Sequence, residues 1–257
     1  MILERNPFDW CGKLHNKFAR HLVNKIDELD SLESIVDVLY PAVSKESDVN
    51  VEFDTFRLAI EQSAVHARRP ELHRRLGFSG EFEKMMDELY SFVENLDSYR
   101  ANGISPDPIF TYLQSKSFYK SSLPKSELDL YLMAVSVAKY SEAFWSGSDE
   151  ENPLPEYTIA NQQGGGFLGG VVAADLTGIL SSSITLGLGA ALGVAVLTAE
   201  TAGGALIVIG AGAAVSSVIQ ILILNGGNRG NTTIPGRGRP VPAPGPTDDD
   251  DDDGRIT

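Results

Sequence analysis

The chain has one cysteine, Cys11, so no internal disulfide can form and the small disulfide-stapled secreted class is excluded. Basic residues are few: 21 Lys and Arg stand against 35 Asp and Glu, a formal net charge of −14. Affinity for phosphate backbones comes from clustered Lys and Arg that release counterions, so nucleic acid is not an expected partner. The four histidines, His15, His21, His66 and His73, lack any spacing that would gather a metal, and no metal or cofactor is expected. Gly164-Gly165-Gly166 has no Lys-Ser or Lys-Thr ending, which excludes a phosphate loop. Met1 to Pro7 shows no basic stretch leading into an apolar one, so a cleavable secretory signal is not expected, and any export would use a non-classical route. Long period-two alternation is also missing, which argues against a sheet.

What is present is helix spacing. Trp10, Leu14, Phe18, Leu22 and Ile26 recur every fourth residue, predicting an amphipathic helix with Lys13, Lys17, Arg20 and Lys25 facing elsewhere. Asp9 is placed to cap it. A second helix is predicted over Leu32 to Val43, interrupted near Pro41, and a third over Glu52 to Arg68. A short one follows from Pro70 to Leu76 and stops at Gly77. The strongest stripe lies in Gly80 to Tyr99, with Phe82, Met85, Met86, Leu89, Phe92, Val93 and Leu96. After a breaker-rich Asn102 to Pro106, a short helix is predicted near Pro108 to Ser115, and a last one opens at Ser126 with Asp129 as a capping-box-like partner and runs to Trp145. The expected fold class is all-α: residues 1–146 form a soluble helical domain able to bury its own core, and 147–166 form a linker.

Residues 167–224 are different in kind. From Phe167 to Leu224 only Asp175 and Glu200 carry charge, dividing the block into Leu176 to Ala199 and Thr201 to Leu224. Each is about 36 Å long as a helix, enough to cross a hydrocarbon core of about 30 Å. A turn at Glu200, Gly203 and Gly204 would fold them into an antiparallel hairpin. Small residues recur at four, as in a glycine zipper: Ala174, Gly178 and Ser182, then Thr185, Gly189 and Gly193 in the first arm, with Gly210 and Ala214, and Gly212 and Ser216, in the second. Such faces permit close helix packing. Interior glycine costs about 1 kcal/mol relative to alanine in water, and the hairpin has no polar face, so a bilayer is its expected partner. The competing reading is a helical hairpin buried at the centre of a soluble protein, and it asks a bundle of about 150 residues to wrap the hairpin.

Residues 225–257 are rich in Gly and Pro, with Arg229, Arg237 and Arg239 before the run Asp248 to Asp253, and are expected to be a disordered tail. The arginines favour a cytoplasmic location for both ends of a spanning hairpin.

Asn6, Pro7, Phe8, Asp9, Gly12, His15 and Asn16 together resemble the start of a set of uncharacterised bacterial proteins that read Asn-Pro-aromatic-Asp-x-x-Gly-x-x-His-Asn. The likeness continues in Leu132 to Trp145, with Ala138-Lys139-Tyr140-Ser141 before an aromatic pair, and in Ala174-Asp175-Leu176-Thr177-Gly178. It covers most of the chain in outline and implies no activity. Cys11 and His15, four apart, are the only ingredients of a nucleophilic pair; no catalytic residue is expected. The functional expectation is a membrane-associated, membrane-active protein of the pore-forming toxin, effector or bacteriocin-like kind, self-associating through its hairpin. The alternative is a membrane-anchored module whose helical domain binds a partner protein.

Overall fold

A computed structural model describes residues 6–46, 51–67, 70–118, 123–149, 151, 153–154, 166–186 and 199–225. These residues form α1 (Asp9–Val23), α2 (Leu32–Glu46), α3 (Phe53–His66), α4 (Gly80–Glu94), α5 (Leu96–Ala101), α6 (Asp107–Phe118), α7 (Lys125–Trp145), α8 (Phe167–Thr185) and α9 (Ala199–Asn225), with short 3₁₀ turns at Ile26–Glu28 and Pro70–Arg75. Among the described residues there is no strand, and the fold is an all-α bundle carrying a hairpin of two apolar helices. The expected tail and most of the linker lie outside the described residues, as do Gly189 and Gly193.

α8 and α9 run antiparallel: Gly170 lies against Gln220, Gly178 against Ala213 and Ser216, and Ser182 against Gly212. This pair occupies the centre of the molecule. α1 lies along α9, α7 lies along α8, and α3 touches both arms, while α1 and α7 close against each other. The sequence led us to expect a bundle with too little apolar surface to wrap a hairpin. The helices meet the demand because they turn their apolar faces onto the hairpin: Phe18, Leu22, Phe56, Ile60, Val135 and Ala138 share one core with Val172, Leu176, Ile179, Val208 and Ile219. α7 has no solvent face from Leu130 to Ala138, because it is covered from several sides.

Several boundaries differ from expectation for local reasons. Asp9 is not the cap of α1; it stands in the first turn, and Asn6 instead accepts the Phe8 amide through Oδ1 at 2.9 Å. Nor does the buried stripe of α1 follow Trp10 and Leu14. Strict four-residue spacing drifts by about 40° per step around a 3.6-residue helix, so the buried face is Cys11, His15, Phe18, Ala19 and Leu22, with Trp10 36% exposed. α2 continues through Pro41 to Glu46. The long helix expected over Gly80 to Tyr99 breaks at Asn95 into α4 and α5, with Ser79 capping α4 through the Phe82 amide. α7 starts at Lys125 behind Pro124, which fixes the entry without a side-chain cap, and the Ser126/Asp129 box does not form; Asp129 pairs with Lys125. The first hairpin arm begins at Phe167, so Asp175 lies within α8. Glu200, Gly203 and Gly204 belong to the opening turns of α9 and are not the hairpin turn; residues 187–198 lie outside the described residues.

Candidate functional site: the junction of bundle and hairpin

The N-terminal motif is a device for placing α1 on α7. Asn6 donates from Nδ2 to the Leu132 carbonyl at 2.8 Å, and Ser136 Oγ donates to the Phe8 carbonyl at 3.0 Å. Gly12 lies so close to the Tyr140 ring and the Ser136 carbonyl that a Cβ there would overlap both. A side chain at position 12 would therefore push the two helices apart. Asn16 then donates from Nδ2 to the Tyr140 carbonyl at 2.8 Å and to Asp149 Oδ2 at 2.5 Å.

That arrangement fixes the protonation of His15. With its amide nitrogen engaged, Asn16 presents Oδ1 to His15 Nδ1 at 2.8 Å, so Nδ1 carries a proton. On the other side of the ring, Nε2 stands 3.1 Å from Asp175 Oδ2, close but not aligned for a straight hydrogen bond. A neutral ring would oppose a bare nitrogen lone pair to a carboxylate oxygen, whereas the imidazolium makes an ion pair there. Burial disfavours the charged ring, but the charge of Asp175 at this short distance and the hydrogen bond to Asn16 outweigh it and hold the His15 pKa above its usual value. Ser141 Oγ donates to the same carboxylate oxygen at 2.5 Å, while Asp175 Oδ1 has no hydrogen-bond partner among the described residues. His15, Asn16, Ser141 and Asp175 are all 0% exposed.

Three segments far apart in sequence thus meet in one buried cluster: His15 and Asn16 on α1, Tyr140-Ser141 on α7 and Asp175 on α8. Asp175 is one of two charges in the apolar block, where composition alone marks it as the edge of a span. A lone carboxylate at the midpoint of an apolar helix is the signal that would have singled it out.

Three further ties hold α8. Asp97 on α5 accepts the Leu168 and Gly169 amides at 3.2 and 2.9 Å, capping the helix. Tyr90 on α4 donates to Thr177 Oγ1 at 3.1 Å, since that hydroxyl already donates to the Ala173 carbonyl. On the opposite side Ser63 of α3 meets Ser182 Oγ at 2.8 Å, and Ser216 Oγ reaches the Ser63 carbonyl at 3.2 Å.

The small-residue positions divide between two contacts. Gly178 and Ser182 of α8 face Gly212 and Ser216 of α9; a Cβ at Gly178 would stand 2.6 Å from Ser216 Oγ and 2.7 Å from the Ala213 Cα. Gly210 instead faces α1, where its Cβ would stand 3.5 Å from the Cys11 carbonyl, and Ala214 is buried within α9. Gly210 therefore packs on α1. The hydroxyls that dilute the first arm are satisfied within their own helix: Ser181 donates to Thr177, Ser183 to Ile179 and Thr185 to Ser181, all to backbone carbonyls. Ser216 and Ser217 do the same in α9.

Cys11 and His15 share the buried face of α1, yet they do not form a nucleophilic pair. Burial pushes the Cys11 thiol up to about 12, and its Sγ points to the Leu206 carbonyl of α9 at 4.0 Å while His15 is committed to Asp175. Among the described residues no three His, Cys, Asp or Glu side chains gather as metal ligands. No protein-family model matches the chain, and neither a curated protein nor a solved structure does.

Two helices, Phe167–Thr185 and Gly204–Leu224, are long and apolar enough to cross a membrane, each about 30 Å at the helical rise.

Proposed function

We propose that this is a membrane-active protein of the pore-forming toxin, effector or bacteriocin-like kind, which carries its inserting hairpin sheathed in amphipathic helices and transfers it to a bilayer. The observation that carries the reading is the hairpin itself. It pairs two span-length apolar helices whose described hydroxyls, apart from Ser182, return to carbonyls of their own helix, so most of the polar load of α8 needs nothing from the bundle. In hydrocarbon an unsatisfied polar group costs several kcal/mol, and helices that satisfy their own hydroxyls avoid most of that cost. The seam Gly178/Ser182 on Gly212/Ser216 lets the arms travel as one unit. Once inserted, the same small-residue habit favours self-association between copies.

A second reading has an observation of its own. In an 18-residue apolar stretch of each span, 78% and 83% of the residues are buried in the protein, as in the core helices of a soluble bundle. In that reading the hairpin never leaves.

Flotation of the full chain with liposomes, followed by a carbonate wash and by dye release from loaded vesicles, separates these outcomes. The proposal expects wash-resistant protein and dye release together. Wash-resistant protein without release would favour the anchored interaction module. Protein that stays soluble and monomeric with every lipid and at every pH would establish the permanent core and end the membrane reading.

A further inference from the structure

Of the two acidic residues in the apolar block, Asp175 lies at the midpoint of α8, where a spanning helix meets the centre of the hydrocarbon. We propose that release of the hairpin is coupled to proton uptake at Asp175: the bundle holds this side chain as a carboxylate between His15 and Ser141, and α8 can enter lipid only after the carboxylate is neutralised. This rests on the membrane reading above and assigns its trigger.

The surroundings of Asp175 make the coupling specific. Among the described residues, His15 of α1 and Ser141 of α7 are the polar groups that meet its carboxylate. Glu142, next along α7, is engaged by Arg100. Tyr90 of α4 meets α8 at Thr177, and Asp97 of α5 meets it at the Leu168 and Gly169 amides. His73 and Arg74 in the 3₁₀ turn beside α8 pair with Asp87 of α4. α3 and α9 present Ser63 and Ser216 near Gly178 and Ser182.

The proton count follows from these contacts. In the bundle the pair holds one proton, on His15. After insertion Asp175 holds one, and His15, now in water, holds another below its ordinary value of about 6.5. Below about pH 6.5 release therefore takes up one proton and is favoured about tenfold per pH unit of acidification. Between about 6.5 and the raised value of His15 the proton lost by the ring equals the one gained by the carboxylate, and the pair contributes no pH dependence.

The test is flotation of the full chain with phosphatidylcholine vesicles, which carry no net charge, from about pH 5 to about pH 8. Wild type is compared with the double variants His15→Gln/Asp175→Asn and His15→Leu/Asp175→Leu, each first shown folded by circular dichroism. The second variant guards against a misfolded first, because apolar replacement of a buried ion pair is often tolerated. The expected result is that wild type associates about tenfold per pH unit more steeply than the variants below about pH 6.5 and equally steeply above it. Association of all three with one common slope would overturn the proton coupling and leave the membrane reading standing. Failure of all three to float at any pH would overturn the membrane reading, and the trigger with it.

Discussion

The two sides of α8 are held by opposite physics. Toward α1 and α7 the contact is a buried ion pair with a short hydroxyl bond, His15 and Ser141 on Asp175. Toward α9 and α3 it is close backbone approach, with Gly178 and Gly212 leaving no room for a side chain and serine hydroxyls bridging locally. A close-packed seam keeps its value in any low-dielectric surrounding, because van der Waals contact and self-satisfied hydroxyls are indifferent to whether protein or lipid lies outside. A buried charge pair is worth most while both partners are present and becomes a penalty as soon as one is removed. The seam suits a permanent bond between the arms of the hairpin. The ion pair suits a bond meant to be broken.

Removing one charge should have the largest effect on this contrast. His15→Ala leaves Asp175 buried and unpaired, and we expect a loss of about 3–5 kcal/mol in urea unfolding; a loss as small as that of a surface substitution would mean the pair is not buried as described. Next in size is Gly178→Leu, which forces a side chain against Ser216 and the Ala213 backbone. Overpacking of this kind costs about 1–3 kcal/mol, and the substitution should also lower recovery of the wash-resistant form, which reports on the seam. A pair of serines then compares the two sides directly. Ser141→Ala removes a hydrogen bond to a carboxylate and should cost about 1.5–3 kcal/mol, whereas Ser63→Ala removes bonds between neutral groups and should cost about 1 kcal/mol. Equal losses would erase the distinction drawn here.

The gentlest perturbation is pH alone. Because the His15 value is raised in the folded protein, its contribution is complete below about 6.5 and is lost as pH climbs through the raised value. Urea midpoints of wild type should therefore fall as pH rises above about 6.5, more than those of Asp175→Asn, which lacks the carboxylate that raises the ring. Parallel curves would show that the charge of Asp175 does not act on His15.

Much of the architecture was legible from periodicity. The stripe of α4 from Phe82 to Val93 is buried as its spacing requires, and the absence of period-two alternation matches the absence of strands among the described residues. The apolar arms were legible from composition. What escaped is what depends on three dimensions. Periodicity says that a face is apolar but not what lies on it, so nothing in α1 announced that its partner is α9. Gly12, His15 and Asn16 stand in the sequence as parts of a short motif, and only the positions of α7 and α8 turn them into the most specific contacts of α1. Asp175 was read by its charge, as a boundary, because a single sequence does not reveal that a histidine 160 positions earlier neutralises it.

The central claim, that the hairpin leaves the bundle for the bilayer, is tested most directly at Cys11. This single thiol is fully buried against Leu206 of α9 and is uncovered only if α1 and α9 separate. Pulse labelling of the full chain with a maleimide, with and without vesicles, should find Cys11 protected in solution and labelled in step with membrane association. A chain that binds vesicles and releases their contents while Cys11 stays protected would contradict the account.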